Sequence, residues 1–235
     1  GDTTVNSGTL QTGVANAIPS GASAGKVNLN GGTLDLNGYS QTLNGLVSTY
    51  AAPSVVDTLS GGTPTLTIGD ANSYGTFDGS IQNTAGTLSL VKAGAGQVFL
   101  RGTNNTYSGS TTILNGSLKL GFAGVSGDSG INRLPATTVL TLGDGVANTG
   151  GELILNARPQ TLAGLTTAGT GANSIVNENG SACALTINNT ANYTFGGTLG
   201  GGLANDNNFS LAKTSSGTLT LTAANTYTGT TTISG

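Results

Sequence analysis

The chain has no histidine, no tryptophan, no methionine and a single cysteine among its 235 residues. These absences exclude a good deal. Without histidine or a second cysteine there is no donor set for a structural or catalytic zinc and no imidazole to activate a nucleophile. One cysteine rules out an internal disulfide. Cys183 lies in Ser-Ala-Cys-Ala-Leu-Thr-Ile, beside alternating apolar residues, and reads as a small buried hydrophobe. Charge is also scarce: seven Lys and Arg against ten Asp and Glu. That leaves no basic patch for nucleic acid and no polybasic stretch for anionic lipid. No run approaches the ~18 apolar residues of a membrane span, so membrane insertion by this segment is not expected. Residues 1–20 lack the charged start and apolar centre of a signal peptide. A chain that opens on Gly1 and contains no Met reads as a mature or excised segment.

What remains is Gly, Thr, Asn, Ser, Leu and Ala. Disordered chains are poor in hydrophobic residues and rich in charge. Here 36% of residues are hydrophobic and the net charge is only −3, so apolar surface must be buried. It is distributed as short words: Thr33-Leu-Asp-Leu36, Thr65-Leu-Thr-Ile68, Ser117-Leu-Lys-Leu120, Val139-Leu-Thr-Leu142, Thr218-Leu-Thr-Leu221. Alternation of polar and apolar residues is the signature of a half-buried strand. The flanking Gly, Asn and Asp supply turn conformations. No stretch keeps a helical period, so the chain is all-β.

A longer repeat overlies this rhythm. Gly31–Leu46 resembles Gly150–Leu165, and Thr65–Ile68 resembles Ala184–Ile187, both at a shift of 119. Lys92–Leu100 matches Lys213–Leu221, and Asn105-Thr-Tyr107 matches Asn225-Thr-Tyr227. The chain therefore divides into a first copy, 1–110, and a second, 111–235, within one rod cut from a longer array. Short evenly spaced strands suit a sandwich, barrel, propeller or solenoid. Four-residue strands, inward Leu, Val and Ile that stack on their own kind, and turns of Asn, Thr and Ser favour a parallel β-helix. At about 20–25 residues per rung, a common solenoid period, the chain makes some ten rungs. With ~4.8 Å between strands the rod is roughly 50 Å long.

The stretch Ser216–Gly235 (SGTLTLTAANTYTGTTTISG) resembles the autotransporter-associated β-strand repeat of bacterial passenger domains. Residues Gly96–Leu118 (GQVFLRGTNNTYSGSTTILNGSL) carry the same pattern. The resemblance covers about a fifth of the chain. It implies a right-handed parallel β-helix, secretion across the outer membrane, and a stalk or adhesin role. Within the motif, Leu219 and Leu221 are expected to point inward, Asn225 to turn the chain, Tyr227 to cover the turn and Gly229 to permit a tight corner.

Few residues invite a chemical reading. The acids, Asp2, Asp35, Asp57, Asp70, Asp78, Asp128, Asp144, Glu152, Glu178 and Asp206, are scattered. A polysaccharide-degrading β-helix needs clustered carboxylates, which only a stacked pair from neighbouring rungs could supply. Gly69-Asp70 and Gly143-Asp-Gly145 read as turns, since the calcium-binding nonapeptide array is absent. The six tyrosines, Tyr39, Tyr50, Tyr74, Tyr107, Tyr193 and Tyr227, could line a sugar surface, although Tyr107 and Tyr227 recur with the motif and read as structural. The Asn-x-Ser/Thr sequences at Asn104, Asn115, Asn179, Asn188, Asn192 and Asn208 are what such a composition produces. No catalytic, metal or cofactor residues are assigned. The expected function is a non-enzymatic stalk or fibre segment outside a bacterial cell, its partners neighbouring repeats or copies of itself end to end. An adhesin binding cell-surface glycan is the alternative, and a degradative enzyme a weaker third.

Overall fold

The computed structural model describes residues 1–48, 54–121 and 130–235. Tyr50 and Asp128 lie outside them. The described residues form twenty-five strands of two to six residues and one 3₁₀ turn, Asp70–Asn72. Every strand pairing is parallel, and partners come from successive turns of the chain. The protein is a parallel β-solenoid of about nine turns, with three faces.

Face one stacks Thr3–Val5, Val27–Leu29 and Leu46–Ser48. It continues through Gly75–Phe77, which sits directly on Leu46, to Gln97–Leu100, Gly116–Leu120, Gly151–Ile154, Ser174–Val176 and Thr198–Leu199. Face two begins with Thr9–Gln11, Thr33–Asp35, Val55–Asp57 and Ser80–Ile81. It resumes with Gln160–Leu162, Cys183–Asn188, Phe209–Thr214 and Thr231–Ser234. Between these, side chains replace the ladder: Ile81 N–H donates to Asn105 Oδ1 (2.8 Å), and Leu134 N–H donates to Gln160 Oε1 (3.0 Å). Face three runs Gln41–Leu43, Thr65–Ile68, Ser89–Lys92, Thr111–Ile113, Val139–Leu142 and Gly164–Thr167. Tyr193–Phe195 and Leu219–Leu221 extend it.

The turn count falls short of the expected ten because corners vary in length. Val27 and its partner Leu46 are 19 residues apart, whereas Leu118 and Leu153 are 35 apart. Strands resist insertion, since one added residue would turn every inward side chain outward. Corners absorb it.

Alternation puts every second residue inside, and register stacks those residues into columns. On face one Val98, Leu118, Leu153, Ile175 and Leu199 lie above one another, each fully buried. On face three the column reads Leu66, Leu90, Thr111, Leu140, Leu165. Each such leucine stabilises the fold by about 1.5–3 kcal/mol relative to exposure. The corners use residues that tolerate left-handed backbone. Asn37 and its repeat counterpart Asn156 adopt φ of 48° and 52°, and their side-chain amides donate to Thr12 and Leu120 carbonyls one turn below.

The sequence repeat and the turns of the solenoid do not share a period. The strand led by two threonines occurs three times. It lies on face one as Thr3–Val5, on face three as Thr111–Ile113 and on face two as Thr231–Ser234. Likewise Thr33–Asp35 is on face two, but its counterpart Gly151–Ile154 is on face one. One repeat thus ends one face short of five full turns, and each copy is rotated by a third of a turn against the last.

Candidate functional site

The motif shared by residues 105–113 and 225–233 builds one kind of corner. Asn105 accepts Ile81 N–H and donates to the carbonyls of Gly102 (3.1 Å) and Arg133 (2.8 Å), tying together three successive turns. Asn225 accepts Leu199 N–H at 2.8 Å in the same way. Two residues on, Tyr107 is fully buried, and Tyr227 is half-buried against the Phe209 ring at 5.6 Å. Gly109 and Gly229 follow. Their N–H groups donate to Leu88 and Phe209 carbonyls in the turn below. A Cβ on Gly229 would stand 2.5 Å from that carbonyl oxygen, and one on Gly109 would press on Leu88 as closely. The glycine is required by this approach and not by a positive φ. Leu219 and Leu221 pack on the core as expected.

The structure brings two acids together on neighbouring turns. Asp35 and Asp57 are strand partners on face two, both buried. Their oxygens are already engaged. Asp35 accepts the N–H groups of Asn37 (2.8 Å) and Leu59 (3.0 Å) and the Gln11 amide (2.6 Å). Asp57 accepts Thr58 N–H (2.7 Å), Thr84 N–H (2.8 Å), Thr84 Oγ1 (2.7 Å) and Gln82 Nε2 (2.8 Å). Burial pushes the Asp57 carboxyl up, but these donors outweigh it and hold it below the usual carboxylate range. Carboxylates consumed by corner amides offer neither a nucleophile nor a proton donor to a substrate.

The other acids are apart from this pair. Asp70 accepts Gly21 N–H, and Asp144 closes its own turn on Val146 N–H. Asp78 pairs with Arg101 at 2.6 Å, and Glu178 with Lys119 at 2.8 Å. Asp2 is at the exposed N-terminus, bonded to Lys26 and Asn28, and Asp206 holds Leu203 N–H. Among the described residues no three acids, cysteines or histidines converge as metal ligands, and no helix is long and apolar enough to cross a membrane. Cys183 is buried beside Asn177, and burial pushes its thiol up to about 11. Of the tyrosines, Tyr39 and Tyr74 are exposed, Tyr107 is core, and Tyr193 and Tyr227 are half-buried.

One functional residue type escaped the sequence reading. Lys92 occupies an inward position on face three between Ile68 and Ile113. Its stem fills the column, and its ammonium donates to the carbonyls of Ala93 (2.6 Å), Gly94 (2.8 Å) and Asn115 (2.9 Å). Burial pushes it down to about 8. Lys213, its repeat counterpart, donates to Thr214 and Ser215 carbonyls. The signal was there: in Leu90-Val-Lys92 the alternation assigns the lysine to the inside.

These two corners, each with an Asn that ties turns, a Tyr over the bend, and a Gly pressed on the turn below, coincide with the segments a family model recognises. Residues 90–120 and 211–235 match the passenger-associated-transport-repeat. Over these two segments, about a quarter of its length, the chain is similar to that repeat family. No curated protein and no solved structure matches it. With the β-solenoid fold, the two repeats agree with a passenger segment of an autotransporter, and they imply a secreted or surface-exposed protein. Both matches begin two residues before an inward lysine, Lys92 on face three and Lys213 on face two, and run through the Tyr corner into the strand that follows.

Proposed function

We propose that this segment is a non-catalytic spacer, a stalk or fibre portion of a surface protein that holds other parts of its polypeptide away from the cell. The observation that carries this reading is that the groups best placed for chemistry are held by the fold itself. The strand-paired carboxylates of Asp35 and Asp57 are spent on corner amides, and the inward Lys92 on carbonyls. Every turn rests on its neighbours through parallel ladders and stacked apolar columns, the arrangement of a quasi-one-dimensional rod. About nine turns at ~4.8 Å make some 43 Å of length.

Single-molecule pulling between the two termini tests it. A spacer gives a series of small force steps, one or a few turns at a time. Collapse in one step at low force would overturn the mechanical reading. A concentration series in the electron microscope covers the end-to-end variant, which requires rods that lengthen with concentration.

A further inference from the structure

We infer that the outer surface of face one is a binding groove for a neutral polysaccharide strand. The groove has a volume of about 620 Å³ and runs along the rod past Tyr74, Gln97, Ser117, Glu152 and Ser174. Four of these are outward neighbours in consecutive turns: Gln97 pairs with Ser117, Ser117 with Glu152, and Glu152 with Ser174. Tyr74 precedes the strand that pairs with Gln97–Leu100 and sits 64% exposed at one end. From Tyr74 to Ser174 the row spans about 19 Å at the rung spacing. Gly116 and Gly150 form part of the wall, so a ligand approaches backbone there without meeting side chains.

The chemistry of the row selects the occupant. It offers one polar group per rung, an amide, a hydroxyl, a carboxylate and a hydroxyl in turn, with an aromatic ring at one end. Such spacing suits repeated hydroxyl groups along an extended chain, and the ring suits the apolar face of a sugar. Gln97 bonds Ser117 (3.1 Å) and Ser174 bonds Glu152 (3.0 Å), which fixes these side chains before a ligand arrives. No lysine or arginine lines the groove, and Glu152 would repel phosphate or sulfate. Burial, with Glu178 and Asp206 nearby, pushes the Glu152 carboxyl up. A peptide strand would find no backbone partner, because the ladders already use the N–H and C=O groups of these strands.

The proposal goes beyond the spacer reading, which stands whether or not the groove is occupied. Titration calorimetry on the whole chain tests it with linear glucan, mannan and galactan hexasaccharides, and with a sulfated hexasaccharide as the charged comparison. At least one neutral chain is expected to bind. Tyr74→Ala and Glu152→Gln should each weaken that binding tenfold or more, as should Ser117→Tyr, which fills the middle of the row. Tyr39→Ala, an exposed tyrosine elsewhere, should leave it unchanged. Circular dichroism confirms that each variant is folded. Binding of none of the neutral chains, binding of the sulfated one alone, or an equal loss in Tyr39→Ala overturns the assignment.

Discussion

The phenol of Tyr107 and the hydroxyl of Thr111 are bonded at 2.7 Å inside the core, and Tyr227 and Thr231 repeat the contact at 2.6 Å. Thr111 interrupts a column of leucines on face three. It is tolerated there because its hydroxyl also meets Thr138 Oγ1 at 3.0 Å, and Thr138 donates onward to the Gly109 carbonyl at 2.9 Å. A buried polar group in such a place costs little only while every partner is present.

That dependence predicts a non-additive pair. Thr111→Val strands the Tyr107 phenol and should cost about 1–3 kcal/mol, whereas Tyr107→Phe should cost about 1 kcal/mol. Because the double variant strands no phenol, it should be less destabilised than the sum of the two. Urea unfolding of all four proteins measures the coupling; strict additivity would contradict the network.

Burial also holds the Tyr107 phenol above its ordinary value of 10. A raised folded value means stability that is complete below pH ~10 and lost above it, where the unfolded chain ionises first. Wild type should therefore lose stability faster than Tyr107→Phe between pH 10 and 11. Equal slopes in alkaline denaturation would argue against a buried phenol.

At the acid end the same reasoning runs the other way for Asp57. Its donors outweigh burial and depress its folded value. Its contribution is complete above the unfolded value near 4 and falls as pH drops further. Asp57→Asn should be less stable than wild type at pH 7 and show a shallower decline from pH 4 to 2.5, read by urea midpoints at each pH.

Equivalent residues of the two repeats should respond unequally in the 235-residue chain. Ile113 is fully buried, and its counterpart Ile233 is 75% exposed. Ile113→Ala should cost about 2–5 kcal/mol, against about 0.5 kcal/mol or less for Ile233→Ala. Thermal unfolding of the two variants settles the difference.

The glycine corner gives the last prediction. A methyl at Gly109 would press on the Leu88 carbonyl that its own N–H must reach. Gly109→Ala should destabilise by about 1–3 kcal/mol through forced separation of two turns. Gly13→Ala, with open space around it, should be near neutral in the same assay.

Much of this architecture was legible in the words Thr65-Leu-Thr-Ile68 and Thr218-Leu-Thr-Leu221, because period-2 alternation is a local property that survives any choice of turn length. The Asn105 and Gly109 corner was equally readable from residue type. Register was not. The contact of Asp35 with Asp57, and the row from Gln97 to Ser174, depend on how many residues each corner consumes, and corners tolerate insertion. The same ignorance of corner lengths made the turn count one too high. Lys92 was missed for a different reason: it was noted only as the start of a repeat match, although alternation in Leu90-Val-Lys92 placed it inside.

The mismatch between the repeat and the turn bears on how such a rod behaves under load. Each copy brings its irregular, strand-poor corner to a different side from the copy before. If every weak point fell on one side, the rod would fold over along that line like a hinge. Distributed in thirds around the circumference, they leave bending resistance nearly equal in all directions, and the fourth copy of any series faces the same way as the first.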